Sequence, residues 1–122
     1  MELLAVDCEV VPEAVVVHVK GEVDSSTVGG LISDLGAALR QAETHVAKLL
    51  VIDLQSLTYF GSAGLNAVLD CHRQGAEAGT SVRLVADNDL VIRPIEVTNL
   101  DSVLQIFPTL TDALQDRHPQ QT

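Results

Sequence analysis

The sequence has no tryptophan, one tyrosine and two phenylalanines. So few rings leave no platform on which bases could stack and no aromatic belt for a bilayer interface, and the core has to be aliphatic. Basic residues are scarce as well: seven Lys and Arg stand against seventeen Asp and Glu, a formal net charge of −10. Nucleic-acid binding depends on Lys and Arg neutralising phosphates, and the seven are scattered from Lys20 to Arg117 without forming a stripe. Nucleic acid and anionic membrane are therefore poor partners. Two cysteines, Cys8 and Cys71, are too few for a secreted disulfide framework and have no metal-binding spacing. No apolar run approaches the ~20 residues of a membrane span, and Met1-Glu2-Leu3-Leu4 lacks the basic start of a signal peptide. A cytoplasmic location without membrane insertion is expected.

What is present is an aliphatic chain of 122 residues, a size that buries roughly two thirds of its extended surface in one core. One domain over residues 1–117 is expected, followed by a polar tail at 118–122. Residues 3–11 and 14–20 are rich in Val and Leu around Pro12-Glu13, which reads as an antiparallel strand pair. In the second strand Val15, Val17 and Val19 share one face, while His18 and Lys20 share the other, which should be only partly buried. Gly21 to Thr27 is a polar turn ending in N-cap candidates, after which Val28, Leu31, Leu35 and Leu39 recur at helical spacing to about residue 41. Gly29, Gly30 and Gly36 each cost this helix ~1 kcal/mol against Ala, or else mark close packing.

Leu49-Leu50-Val51-Ile52, ending at Asp53, suits a central strand buried on both faces. Leu54 to Leu65 then reads as a strand-to-helix loop, with Ser62 able to cap a helix whose stripe is Leu65, Val68, Leu69, His72 and Ala76. Ser81 to Ala86 is a further strand, and the helix expected to end near Asn99 is shortened or kinked by Pro94. Val103 to Phe107 is a last strand, and Pro108-Thr109 opens a helix carrying Leu110, Ala113 and Leu114. The order β-β-α-β-α-β-α-β-α predicts an α/β fold, a mixed and mostly parallel sheet with helices packed against it. Functional sites in such sheets collect at the carboxyl ends of strands, which singles out Gly21–Thr27 and Thr58–Gly64.

Little in the sequence supports catalysis. Ser62 misses the G-x-S-x-G elbow by one position, because Phe60 stands where a glycine is needed. A triad would need a later His, and only His72, on the same helix, and His118, in the tail, follow. His18, His45, His72 and His118 are too dispersed for a zinc site. Cys71 and His72 point about 100° apart on a helix, and neither GxGxxG nor GxxxxGK occurs. A binding protein, not an enzyme, without cofactor or metal is expected. On the residues alone Ser62 is either an ordinary helix cap or a modification site.

Two motifs narrow this choice. Gly21-Glu22-Val23-Asp24 followed by Thr27 resembles the G-E-[LV]-D-x-x-T segment of the anti-sigma factor antagonist family, whose fold is the STAS domain. Asp53-Leu54-x-x-Leu57-x-Tyr59-Phe60-Gly61-Ser62-Ala63-Gly64-Leu65 resembles that family's [DN]-L-x-x-[LV]-x-[FY]-[ML]-D-S-[ST]-G-L. The likeness runs from about residue 10 to residue 115. The resemblance implies a single STAS-like domain and a partner switch. The unphosphorylated antagonist binds an anti-sigma factor that is also a protein-serine kinase and so frees a sigma factor; phosphorylation of the serine matching Ser62 releases that partner. It also implies a contact surface of Asp24, Ser25, Thr27, Tyr59, Phe60, Gly61, Ser62, Ala63 and Asn66, in which Tyr59 and Phe60 serve either as core anchors or as contacts.

The chain departs from the motif in two places: its Asp is Gly61, and its second Ser or Thr is Ala63. Ala63 leaves one hydroxyl to modify, and Gly61 is expected to give the turn a freer backbone for a differently shaped partner. The alternative keeps the fold without the switch, as a STAS-like docking subunit of a transporter or another regulatory complex with Ser62 only a cap. A redox link between Cys8 and Cys71 is a further reading, and it needs Cα atoms within about 7 Å.

Overall fold

The Val- and Leu-rich segments flanking Pro12-Glu13 form the expected hairpin. In the computed structural model, which describes residues 3–115, β1 (Leu4–Val11) and β2 (Ala14–Val23) pair antiparallel, with Val10 opposite Val15 and Leu4 opposite Gly21. The chain then runs through α1 (Val28–Glu43), β3 (Leu49–Phe60), α2 (Ser62–Glu77), β4 (Ser81–Val85) and α3 (Asp89–Val97). A 3-10 turn at Leu100–Ser102, β5 (Gln105–Phe107) and α4 (Leu110–Gln115) complete it. Strands β2 to β5 pair in parallel, so the sheet order β1-β2-β3-β4-β5 with one antiparallel edge pair is the mixed sheet anticipated from the element order. The expected tail at 118–122 lies outside the described residues.

One face of the sheet carries most of the core. Val15, Val17 and Val19 of β2, Leu50, Ile52 and Leu54 of β3, and Leu84 of β4 pack beneath Leu31, Leu35 and Leu39 of α1, Val68 of α2, and Val91 and Ile95 of α3. Each such side chain, fully buried, contributes roughly 1.5–3 kcal/mol. The other face is covered only in part, where Ala113 of α4 closes over Val16, Val51, Val85 and Phe107. Toward β1 that face stays polar, with Lys20 exposed and His18 half-buried, as the alternation in β2 predicted.

The structure corrects several expectations. Strand β2 continues through Gly21-Glu22-Val23, read as a turn, and β3 continues through Leu54 to Phe60, read as a loop. The cause is a pair of one-residue bulges. Between His18 and Lys20 of β2 the partner strand advances from Asp53 to Ser56, and between Gly21 and Glu22 it advances from Leu57 to Tyr59. Each bulge inserts an extra residue into β3, so Leu54, Leu57 and Phe60 all face the core at a spacing of three that conceals the strand.

The buried stripe of α2 is also rotated: Gly64, Leu65, Ala67, Val68, Cys71 and Gly75 face inward in place of His72 and Ala76. Gly75 permits this, since a Cβ there would stand 2.7 Å from Val82 Cγ2 and 2.8 Å from the Thr80 carbonyl oxygen. Conversely, Gly29 and Gly30 mark no close packing, because a Cβ on either would have nothing within 4 Å. The last strand is Gln105–Phe107, shorter than read, because the Leu100 carbonyl accepts hydrogen bonds from the Val103 and Leu104 amides and holds the chain in a turn.

Candidate functional site

The first motif builds a closed polar loop at the carboxyl end of β2. Gly21 has φ of 110°, which side chains rarely adopt, and a Cβ there would collide with the Leu3 carbonyl, so the motif's glycine is obligatory. After Val23 the chain turns on Asp24, whose Oδ1 accepts from the Ser26 amide (2.8 Å), the Ser26 hydroxyl (2.7 Å) and the Thr27 amide (3.1 Å). Thr27 stands at the N-cap position of α1 but makes no side-chain cap bond. Its hydroxyl donates to the Glu22 carbonyl (2.8 Å) and accepts from the Asp24 amide (3.0 Å). The hydrogen bond from the Ser26 side chain, with that from its amide, holds the Asp24 carboxyl below its usual range. Ser25 stands exposed at the tip, and an open cleft beside the loop is lined by Leu3, Asp7, Ser26, Thr27, Gly30 and Asp34.

The second motif builds a turn of the opposite kind at the carboxyl end of β3. The N-cap of α2 is Gly61, and Ser62 is the first helical residue, not the cap anticipated. Gly61 is extended (φ −92°, ψ −176°), and its carbonyl accepts from the Gly64 and Leu65 amides at 3.0 and 3.1 Å, which starts the helix one residue early. The backbone at Gly61 is one any residue adopts, so the freer backbone expected there is not the reason for the glycine. Ser62 is exposed, and its hydroxyl makes no hydrogen bond among the described residues.

A backbone hydrogen bond of 3.0 Å from the Gly61 amide to the Val23 carbonyl brings the two segments together. Asp24 and Ser62 therefore each follow directly on a partner in one bond. Gly64 makes the closeness possible, since a Cβ there would stand 2.7 Å from Val23 Cγ1 and 2.9 Å from Phe60 Cε1. The remaining residues divide cleanly. Phe60 is buried in the core under α2, whereas Tyr59, its neighbour on the opposite face of the strand, is 50% exposed. Ala63 is half-buried, and Asn66 is exposed one turn beyond Ser62 on the same side of α2.

Other titratable groups stand apart from this surface. His18 lies between two carboxylates, with Nδ1 2.9 Å from Asp53 Oδ2 and Nε2 3.1 Å from Glu9 Oε1. Burial works to lower its pKa, but the hydrogen bonds and charges of Glu9 and Asp53 together outweigh it and raise it. This cluster escaped the sequence reading; alternation in β2 and β3 was the available signal, but pairing Asp53 with His18 required the register. The cysteines are both free: Cys8 is exposed on β1, and Cys71 is buried, its thiol pushed up to about 12 by desolvation. Among the described residues no cluster of three His, Cys, Asp or Glu could hold a metal, and no helix is long and apolar enough to cross a membrane.

Comparison with known proteins gives this arrangement a context. The family model described as "STAS domain" matches residues 5–113. Anti-sigma-F factor antagonist RsfB of Mycobacterium tuberculosis is 33% identical over 101 residues, covering 81% of this chain and 77% of its own. A crystal structure of an anti-sigma factor antagonist from Mycobacterium paratuberculosis superposes with a TM-score of 0.84 at 31% identity, covering 93% of this chain and 92% of that one. The phosphorylated form of SpoIIAA, a Bacillus cell fate determinant, shares the fold, with a TM-score of 0.67 at 19% identity over 93% of this chain and all of that one.

Proposed function

The chain belongs to the STAS domain family of anti-sigma factor antagonists, and on that premise we propose that it binds an anti-sigma factor with serine kinase activity, frees a sigma factor, and is released by phosphorylation of Ser62. The observation that carries this reading is the free, exposed hydroxyl of Ser62 at the start of α2, held against the Asp24 loop by the Gly61–Val23 hydrogen bond. In the transfer the γ-phosphoryl group of ATP moves to Ser62 Oγ, the hydroxyl loses its proton and ADP leaves. A solved phosphorylated relative of the same fold supports the idea that such a chain tolerates the modification.

Physics supports both halves of the switch. A phosphate brings about −1.5 to −2 charges to the first turn of a helix, whose dipole and unpaired amides favour an anion, so the fold survives. An interface over the same turn does not, because the phosphate's bulk and strongly hydrated charge appear where the partner is seated against a neutral hydroxyl. Leaving a charge unpaired in a desolvated interface costs about 3–5 kcal/mol, and each ~1.4 kcal/mol is tenfold in affinity, so a loss of about a hundredfold or more is expected. The acidic chain also favours a basic partner face and salt-sensitive association. The antagonist names of its relatives weigh against the transporter-docking alternative.

Calorimetry with the anti-sigma factor recovered by pull-down from the source cell tests the reading. Ser62→Glu should bind weakly and Ser62→Ala constitutively; mass spectrometry after incubation with that factor and ATP should place phosphate on Ser62. Equal affinity of all three proteins would sink the proposal.

A further inference from the structure

At Gly61, the residue before Ser62, the family motif has a carboxylate; in this chain a phenol lies where that side chain would start. A Cβ on Gly61 would stand 3.1 Å from Tyr59 Cε2 and 3.3 Å from the Tyr59 hydroxyl oxygen, so the ring lies across the glycine. The arrangement follows from strand geometry. Positions 59 and 61 are two apart on an extended segment and so project to the same side. Since Gly61 has an ordinary backbone, what its missing side chain supplies is room for the ring. Tyr59 is half exposed, and its hydroxyl has no hydrogen-bond partner among the described residues.

We propose that the Tyr59 hydroxyl donates a hydrogen bond to the phosphoryl group on Ser62, holding with a neutral group what the motif's carboxylate would repel. The inference rests on Ser62 being phosphorylated, as argued above. A phosphate monoester takes its second charge at about pH 6 and offers three strong acceptor oxygens. Phenols keep their proton far above that range and remain donors throughout it. An Asp at position 61 would instead be ionised across the same range and would disfavour the dianion. Tyr59 over Gly61 thus favours the doubly charged phosphoserine at neutral pH, the form that is costliest to desolvate beneath a partner. Tyr59 acts here as a positioning residue for the modification.

The test uses the full chain with phosphoserine installed at position 62 by codon expansion, titrated by 31P NMR from about pH 4 to about pH 9. Tyr59→Phe should raise the phosphate midpoint by a few tenths of a pH unit, and Gly61→Asp should raise it further, through loss of the donor and gain of a like charge. In concentrated urea the Tyr59→Phe and unsubstituted chains should titrate together, while Gly61→Asp keeps the part of its shift that comes from the adjacent charge. A Tyr59→Phe midpoint equal to or below that of the unsubstituted chain would overturn the proposal, as would a Gly61→Asp midpoint no higher than it. Neither kinase nor partner enters the measurement, so the two readings fail separately. Undiminished affinity of the phosphorylated chain for the anti-sigma factor would remove the switch and leave this contact standing. Equal midpoints with lost affinity would remove the contact alone.

Discussion

The Asp24 loop and the Ser62 turn both begin one residue beyond the Gly61–Val23 hydrogen bond, yet they are built in opposite ways. In the loop the polar groups answer one another: Asp24 Oδ1 receives Ser26 and Thr27, and the Thr27 hydroxyl ties Asp24 back to Glu22. In the turn the Ser62 hydroxyl answers nothing among the described residues, because the helix starts on the Gly61 carbonyl and leaves the serine uncommitted. The difference separates two tasks. A loop closed on itself has a fixed shape that a partner can fit, and a free hydroxyl beside it can accept a new group without dismantling the fold. Had Ser62 capped α2, its modification would have cost the helix its first hydrogen bond.

Substitutions can break or sharpen this contrast. The largest effect on stability is expected from Gly64→Ala, which forces a methyl against Val23 and Phe60 and prises the two segments apart. Overpacking of this kind costs about 1–3 kcal/mol, measurable as a lowered urea midpoint with unchanged slope. Thr27→Val should come next. It removes the short hydrogen bonds of the Thr27 hydroxyl to the Glu22 carbonyl and from the Asp24 amide and should cost about 1 kcal/mol in the same assay. Ser62→Ala, the matching change in the turn, should leave stability within about 0.5 kcal/mol of the unsubstituted chain. A Ser62→Ala loss as large as that of Thr27→Val would mean that the serine is a cap after all.

The smallest effect concerns pH and lies away from both segments. The pKa of His18 is raised above 6.5 by Glu9 and Asp53, against the opposing effect of its own partial burial. Its contribution to stability is therefore complete below about pH 6.5 and is lost as pH rises through the higher folded value. Urea midpoints of the unsubstituted chain, compared with those of His18→Gln, should converge as the pH is raised from about 6 to about 8.5. A gap that widens would show that the histidine is held in its neutral form. Affinity for the anti-sigma factor should stay level in His18→Gln, since the cluster touches neither the loop nor the turn.

Much of this molecule was readable from its residues, and the failures in the fold share one cause. Element order, the hairpin and the alternation of β2 follow from local pattern and were legible. The upper half of β3 was not, because bulges opposite His18–Lys20 and Gly21–Glu22 convert a period of two into a spacing of three at Leu54, Leu57 and Phe60. Only the partner strand supplies that information. The roll of α2 toward Cys71 and Gly75 likewise depends on contacts made after the helix ends, with Val82 of β4 and the Thr80 carbonyl. The two motifs lie at the carboxyl ends of β2 and β3, where the element order placed them. Their internal division of labour stayed hidden, because whether a serine caps a helix or begins it turns on the one residue before it.

The most direct test of the account is the affinity of the anti-sigma factor for the chain carrying phosphoserine at position 62, set beside the unmodified chain in one calorimetric series. Phosphoserine at position 62 should lower the affinity about a hundredfold or more with the fold intact by circular dichroism. Equal affinity of the two forms would contradict it.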